Sequence, residues 1–204
     1  MGGSGADRES TCRVVLVRHA AAKGSGTFLG QNDEPLSAAG RSQLKELVPK
    51  LARFRFDAVF TSDLERARAT AVAAVRRLDL ELQIRPELRE MHFGRWQGLS
   101  WDQIEKRHRR LARLWLRDFP LQPIPGAERF AQFKKRVKTQ LRDIVLANQG
   151  RCVLVVAHAG VIRVALADAL GLKDRNLFRL AQDPCAINVI DHFAQGVTVR
   201  CVNA

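Results

Sequence analysis

The stretch Cys12–Ala22, "CRVVLVRHAAA", decides how the rest of the chain is read. Its apolar run, Val14 to Val17, reads as a buried strand, yet it ends in an arginine, a histidine and three alanines. A fixed cation and a titratable ring thus stand together at the mouth of a core. In an open α/β sheet, ligands bind beyond the carboxyl ends of the strands, so Arg18 and His19 become candidate functional residues.

Outward from this strand, short apolar runs alternate with longer segments of helical period, the pattern of an α/β fold with a largely parallel sheet. A Gly-rich connection, Lys23 to Pro35, leads to a helix that Ser37 can cap and that runs to about Phe54. "DAVFTS" is a second strand ending at Thr61. Ser62 and Glu65 have the spacing of a capping box for the helix "SDLERARATAVAAVRRL". "LQIRP" is a short strand. Two helices, Trp101 to Phe119 and Glu128 to Ala147, are separated by the prolines of "PLQPIPGA". The first carries a basic face (Lys106, Arg107, Arg109, Arg110, Arg113 and Arg117), read as solvated, with a lid or polyanion surface as the alternative. "CVLVVAHAG" is another buried strand, followed by a helix closed by Gly171. "CAINVIDHF" with "GVTVRCVNA" is a terminal hairpin whose edge could serve a homodimer; a monomer is the alternative.

Composition bounds the reading. The 204 residues suit one domain, expected over 12–204, after a flexible tail at 1–11. The net charge of +13 points to anionic partners without choosing among metabolites, nucleic acid and membrane surface. Cys12, Cys152, Cys185 and Cys201 show no metal-ligand spacing, and free thiols in a reducing cytoplasm are expected. No run approaches a membrane span, and the first ten residues match neither a signal peptide nor, with Ala6, a myristoylation signal.

The chemistry concentrates at four places. "VVAHAG" repeats the arrangement of "VLVRHA", so if the two strands are neighbours, His19 and His158 face one crevice. Arg66 lies about one turn into the helix that leaves the second strand, on the side of the same edge, whereas Arg68 points elsewhere. Glu90 sits in "ELREMHFGRWQG", whose Phe93, Gly94, Trp96 and Gly98 suggest a tightly folded loop that could keep a carboxyl group protonated as a general acid. Arg18 and Arg66 offer planar forks to phosphoryl oxygens, and two guanidiniums would hold the His19 pKa down. His158 adds a hydrogen-bond donor to the transferring group. No metal ligand set is visible, so no cofactor is expected and the arginines supply the charge neutralisation.

These residues resemble the histidine phosphatases, the phosphoglycerate-mutase-like superfamily. The family's strand-end Arg-His-Gly matches Arg18–Ala20, its "PLS..G" matches Pro35–Gly40, and its "S-P-L-x-R-A" followed by Thr-Ala matches Ser62–Ala71. Its "E..FG.W.G" matches Glu90–Gly98 and its "HxGxIR" matches His158–Arg163. The resemblance implies a three-layer α/β/α sandwich whose helical insertion, about 100–147, covers the site. It implies His19 as phosphorylated nucleophile, Arg18, Arg66 and His158 as the phosphate pocket, and Glu90 as proton donor. Ala20 replaces the usual glycine, "AAAKGSG" lacks the Glu-Ser/Thr and Asn that often follow, Asp63 replaces a proline, and "PGAERF" matches "P-G-G-E-S" only in part. "FLGQNDEPLS" is most similar to small bacterial phosphatases such as the α-ribazole phosphatases, which makes Gly30 and Asp33 candidate substrate contacts. The expected function is a metal-independent phosphomonoesterase acting on a small phosphorylated metabolite, with α-ribazole phosphate as one candidate. The alternatives are a mutase and a non-catalytic RNA-binding protein. Against the last, all five catalytic positions are filled and aromatic residues do not interleave with the basic ones, so no specific nucleic acid and no membrane partner is expected.

Overall fold

Alternate residues of the opening strand face opposite helical layers in the computed structural model, which describes residues 11–76 and 78–204. Val14 and Leu16 of β1 (Cys12–Arg18) enter one core, and Val15 and Val17 enter the other. Burial on both faces is why the run is apolar without alternation. All but Thr11 of the expected tail, with its targeting signals, lies outside the described residues.

The sheet continues through β2 (Ala58–Thr61), β3 (Leu82–Ile84), β4 (Cys152–Ala157), β5 (Ile187–Phe193) and β6 (Gly196–Cys201), in the order β3-β2-β4-β1-β5-β6. The first four are mutually parallel, and β5 and β6 add the antiparallel hairpin. On the face of Val15 and Val17 lie α1 (Ala38–Leu51), through Leu47 and Leu51, and α2 (Glu65–Val75), through Ala71 and Val75. On the other face lie α4 (Phe130–Ala147), through Phe133, Val137 and Ile144, and α5 (Ala159–Ala169), through Val161, Ile162 and Leu166. The three layers match the expected sandwich. A third cluster, with Trp96, Ile104, Ala112 and Trp115, binds α3 (Trp101–Asp118) to the loop after β3.

Two predicted helix starts are corrected. Ser62 does not cap α2: the helix begins at Glu65 after an extended Leu64 with no side-chain cap. Instead Asp33, reaching across from the Gly-rich connection, accepts from the Glu65 N–H at 2.6 Å. The α4 helix begins at Phe130, which leaves Glu128 outside it. Ser37 does cap α1, accepting from the Gly40 N–H at 3.0 Å, but that helix stops at Leu51. All four cysteines are free, and among the described residues no helix is long and apolar enough to cross a membrane.

Candidate active site

Register aligns the two histidines. Arg18 of β1 pairs with Ala157 of β4, so the next residue of each strand, His19 and His158, leaves the sheet edge beside the other, with ring centroids 5.1 Å apart. On the other side of β4, Thr61 pairs with Val156, which brings Ser62 next to His158. The Ser62 hydroxyl lies 2.7 Å from His158 Nε2. With the hydroxyl donating to that nitrogen, the ring proton sits on Nδ1, which is buried and has no partner among the described residues.

His19 has the opposite tautomer. Its Nδ1 lies 2.8 Å from the Ala20 carbonyl, which can only accept, so Nδ1 carries the proton and Nε2 keeps a lone pair. Arg66 Nε stands 3.3 Å from Nε2. Burial pushes the His19 pKa down to about 3, with Arg66 and then Arg18 adding to the effect, so burial outweighs the guanidiniums credited from sequence. Burial also holds His158 well below its ordinary value, assisted by His19 and both arginines. Both rings are therefore neutral near pH 7.

Backbone carbonyls hold the two arginines. Arg66, 1% exposed, donates from its terminal nitrogens to the Gly30 carbonyl at 2.6 Å and the Asn32 carbonyl at 2.7 Å. Gly30 has φ +54°, and a Cβ there would press on Gln97, so its glycine identity follows from this tight loop. Arg18 donates to the carbonyl of Gln182, whose buried side chain exchanges two 2.9 Å hydrogen bonds with Asn188 on β5. Arg18 Nε has no partner among the described residues. Burial lowers the pKa of each guanidinium, and the Glu90 carboxylate opposes the shift.

Glu90 stands at the start of α5. Its Oε2 accepts from the Gly160 N–H and its Oε1 from the Met91 N–H, each at 2.9 Å. A side chain at position 160 would collide with this carboxylate, which explains the glycine of "HAG". Two ion pairs fix the Glu90 loop. Asp63, in the place of the family's proline, binds Arg89, and the guanidinium holds the carboxyl group below its ordinary value. Glu128 binds Arg136 through both oxygens, at 2.7 and 2.9 Å, and Arg136 donates to the carbonyls of Glu87, Arg89 and Glu90 at 2.6, 2.8 and 3.0 Å.

The alanines after His19 are held by their backbone. The Ala20 N–H donates to Thr70 Oγ1 at 3.1 Å and the Ala21 N–H to Gln43 at 2.9 Å, while the Ala21 carbonyl accepts from Ser37. Gly40 packs directly on that carbonyl and leaves no room for a Cβ, which accounts for the glycine of "PLS..G".

Of the sequence candidates, the structure brings together Arg18, His19, Arg66, Glu90 and His158, with Gly30 behind Arg66. Asp33 is exposed and bound to the start of α2. Sequence reasoning missed Ser62, Thr70, Arg136, Gln182 and Asn188. An apolar cleft of about 480 Å³ between α4, α5 and β5 contains none of the candidate residues and lies away from this chemistry. Among the described residues no cluster of three His, Cys, Asp or Glu side chains could hold a metal ion.

Residues 14–204 match the histidine phosphatase superfamily (branch 1). The chain belongs to this family. A bifunctional protein of Mycobacterium tuberculosis is 34% identical over 200 residues, covering 96% of this chain but 55% of the relative, so the chain spans about half the length of that protein. The adenosylcobalamin/α-ribazole phosphatase of Escherichia coli is 28% identical, with 94% and 96% of the two chains covered. Among solved structures, a putative α-ribazole-5'-P phosphatase from E. coli superposes with a TM-score of 0.86 at 28% identity, over 95% of this chain and 96% of that one. A mycobacterial glucosyl-3-phosphoglycerate phosphatase gives 0.82 at 28% identity, over 95% and 99%.

Proposed function

We propose that the chain is a metal-independent phosphomonoesterase that works through a phosphohistidine on a small phosphorylated metabolite. The observation that carries this reading is the tautomer of His19: Nδ1–H locked on the Ala20 carbonyl leaves a neutral Nε2 lone pair beside Arg66. That lone pair attacks phosphorus as the ester P–O bond breaks, and Glu90 gives a proton to the departing oxygen. Arg18, Arg66 and His158 Nδ1–H bind the equatorial oxygens, where charge gathers in the transition state. The N–P bond is then cleaved by water, which loses a proton to Glu90, and inorganic phosphate and neutral His19 are released.

For the substrate, the names of the relatives supply candidates: α-ribazole phosphate from the enteric phosphatases, and phosphoserine from proteins of Hydrogenobacter thermophilus, one of which is 29% identical. The test is rapid-quench labelling with a ³²P aryl phosphate, in the presence of EDTA. Expected are acid-labile, base-stable phosphoenzyme and release of inorganic phosphate, both absent in His19→Ala. Phosphoenzyme retained in His19→Ala, or, with 3-phosphoglycerate as substrate, isomerised phosphoglycerate in place of inorganic phosphate, overturns the reading.

A further inference from the structure

Arg163 lies one helical turn beyond Gly160, the residue whose N–H holds Glu90, and so on the same side of α5. It is half-buried. Its Nε donates to the Leu180 carbonyl at 2.9 Å, and its guanidinium lies 5.5 Å from the ring centre of Phe178. Phe178 is itself backed by Phe119 and Trp115, at 4.8 and 5.3 Å between centroids, so the stack is braced by the C-terminal end of α3. The terminal nitrogens of Arg163 make no hydrogen bond and no ion pair among the described residues.

Glu90 and Arg18 both lie within electrostatic reach of this guanidinium. Glu90 acts on it only through space: its two oxygens accept the Met91 and Gly160 N–H groups, and the two side chains form no ion pair. Arg163 is thus a cation withdrawn from water, oriented by a carbonyl and an aromatic face, with its fork unused beside the phosphoryl-binding groups. Such an arrangement is unfavourable alone and becomes favourable when an anion supplies the missing partner. The phosphoryl oxygens already have Arg18, Arg66 and His158.

We propose that Arg163 binds a second anionic group of the substrate, which makes the preferred substrate class small phosphomonoesters that also carry a carboxylate or a second phosphate. This inference rests on the phosphatase reading above and narrows its substrate. The shared chemistry is a pair of anionic oxygens presented to a planar fork.

The test is kcat/KM for three sets of substrates: phosphoserine and 3-phosphoglycerate, fructose 1,6-bisphosphate, and, without a second anion, ethyl phosphate, phosphoethanolamine and α-ribazole phosphate. For the wild type, at least one anionic set is expected to exceed the third by about tenfold or more, the effect of a charge-assisted hydrogen-bonded pair. Which of the two leads distinguishes carboxylate from phosphate. In Arg163→Gln that ratio collapses toward one, mainly through KM, and Arg163→Lys, with charge but no fork, lies between. Because each ratio is taken on one enzyme preparation, it is unaffected by a loss of folded protein. A wild type that favours the substrates without a second anion, or a ratio unchanged in Arg163→Gln, overturns the inference alone. A wild type that turns over none of the panel overturns the phosphatase reading with it.

Discussion

Arg136 is far from Arg18, His19 and Arg66 in sequence and touches none of them with its side chain, yet under the proposed mechanism its loss should change the chemistry of one particular step. Its guanidinium ties the loop that carries Glu90 to α4: it pairs with Glu128 on one side and donates to the carbonyls of Glu87, Arg89 and Glu90 on the other. Arg136→Ala removes those bonds and leaves Glu128, only 16% exposed at its side chain, without its partner. Breaking a fully buried pair costs about 3–5 kcal/mol, and the partial exposure here brings the expected loss of stability to about 2–3 kcal/mol. The larger consequence is geometric. Glu90 keeps its Gly160 contact but loses the support of its own backbone, and a displacement of about 1 Å is enough to cost roughly a hundredfold in rate. General acid catalysis matters only when the leaving oxygen needs a proton. A series of phosphate esters from 2,4-dinitrophenyl, through phenyl, to alkyl should therefore separate the two effects. In Arg136→Ala, kcat/KM should fall by about tenfold to a hundredfold for alkyl phosphates and little for the dinitrophenyl ester, so that the dependence on leaving-group basicity steepens. Glu90→Gln should show the same steepening more strongly. Equal losses across the series in Arg136→Ala would refute the reasoning, since they would mean that Arg136 supports the fold and not the position of Glu90.

Further expectations concern the histidines and the glycine that faces Glu90. His19 has a folded pKa of about 3 against an ordinary value near 6.5, so the unfolded chain binds more protons between those limits. The stability due to neutral His19 is complete above about pH 6.5 and is lost as pH falls toward 3, at about 1.4 kcal/mol per unit while the difference persists. The melting temperature of the wild type should accordingly drop more steeply from pH 6.5 to 4 than that of His19→Gln, and parallel curves would count against a buried neutral ring. Ser62→Ala leaves both nitrogens of His158 without a partner among the described residues; a loss of about 1–3 kcal/mol in chemical denaturation and a reduced kcat are expected, and an unchanged kcat would show that the tautomer of His158 is set elsewhere. Gly160→Ala puts a methyl group against the Glu90 carboxylate and should lower kcat for alkyl phosphates while leaving phosphoenzyme formation from dinitrophenyl phosphate nearly intact, as quench-flow can measure.

What was legible in the sequence follows from where each side chain gets its position. Arg18, His19 and His158 end apolar runs whose burial is visible as composition, and parallel pairing of two such runs is enough to bring the rings to one edge. Ser62 misled because Ser-x-x-Glu is a local pattern, whereas its hydroxyl is claimed by a histidine 96 residues away. Asp33 has a role that its place beside a motif did not reveal: its carboxylate satisfies a backbone N–H at the start of α2. Gln182, Asn188 and Arg136 carried no signal at all, since an amide or a guanidinium that serves a distant carbonyl has no spacing to betray it. The alanines after His19 belong with these. Their departure from the family's Gly-Glu-Ser/Thr pattern changes the side chains that the loop presents, but the main chain there is held by Thr70, Gln43 and Ser37, which depend only on the backbone path. Substitution at those positions can therefore alter what the loop offers to a substrate without moving the histidine that precedes it, so differences of specificity within the family can arise in this loop while the geometry of His19 is kept.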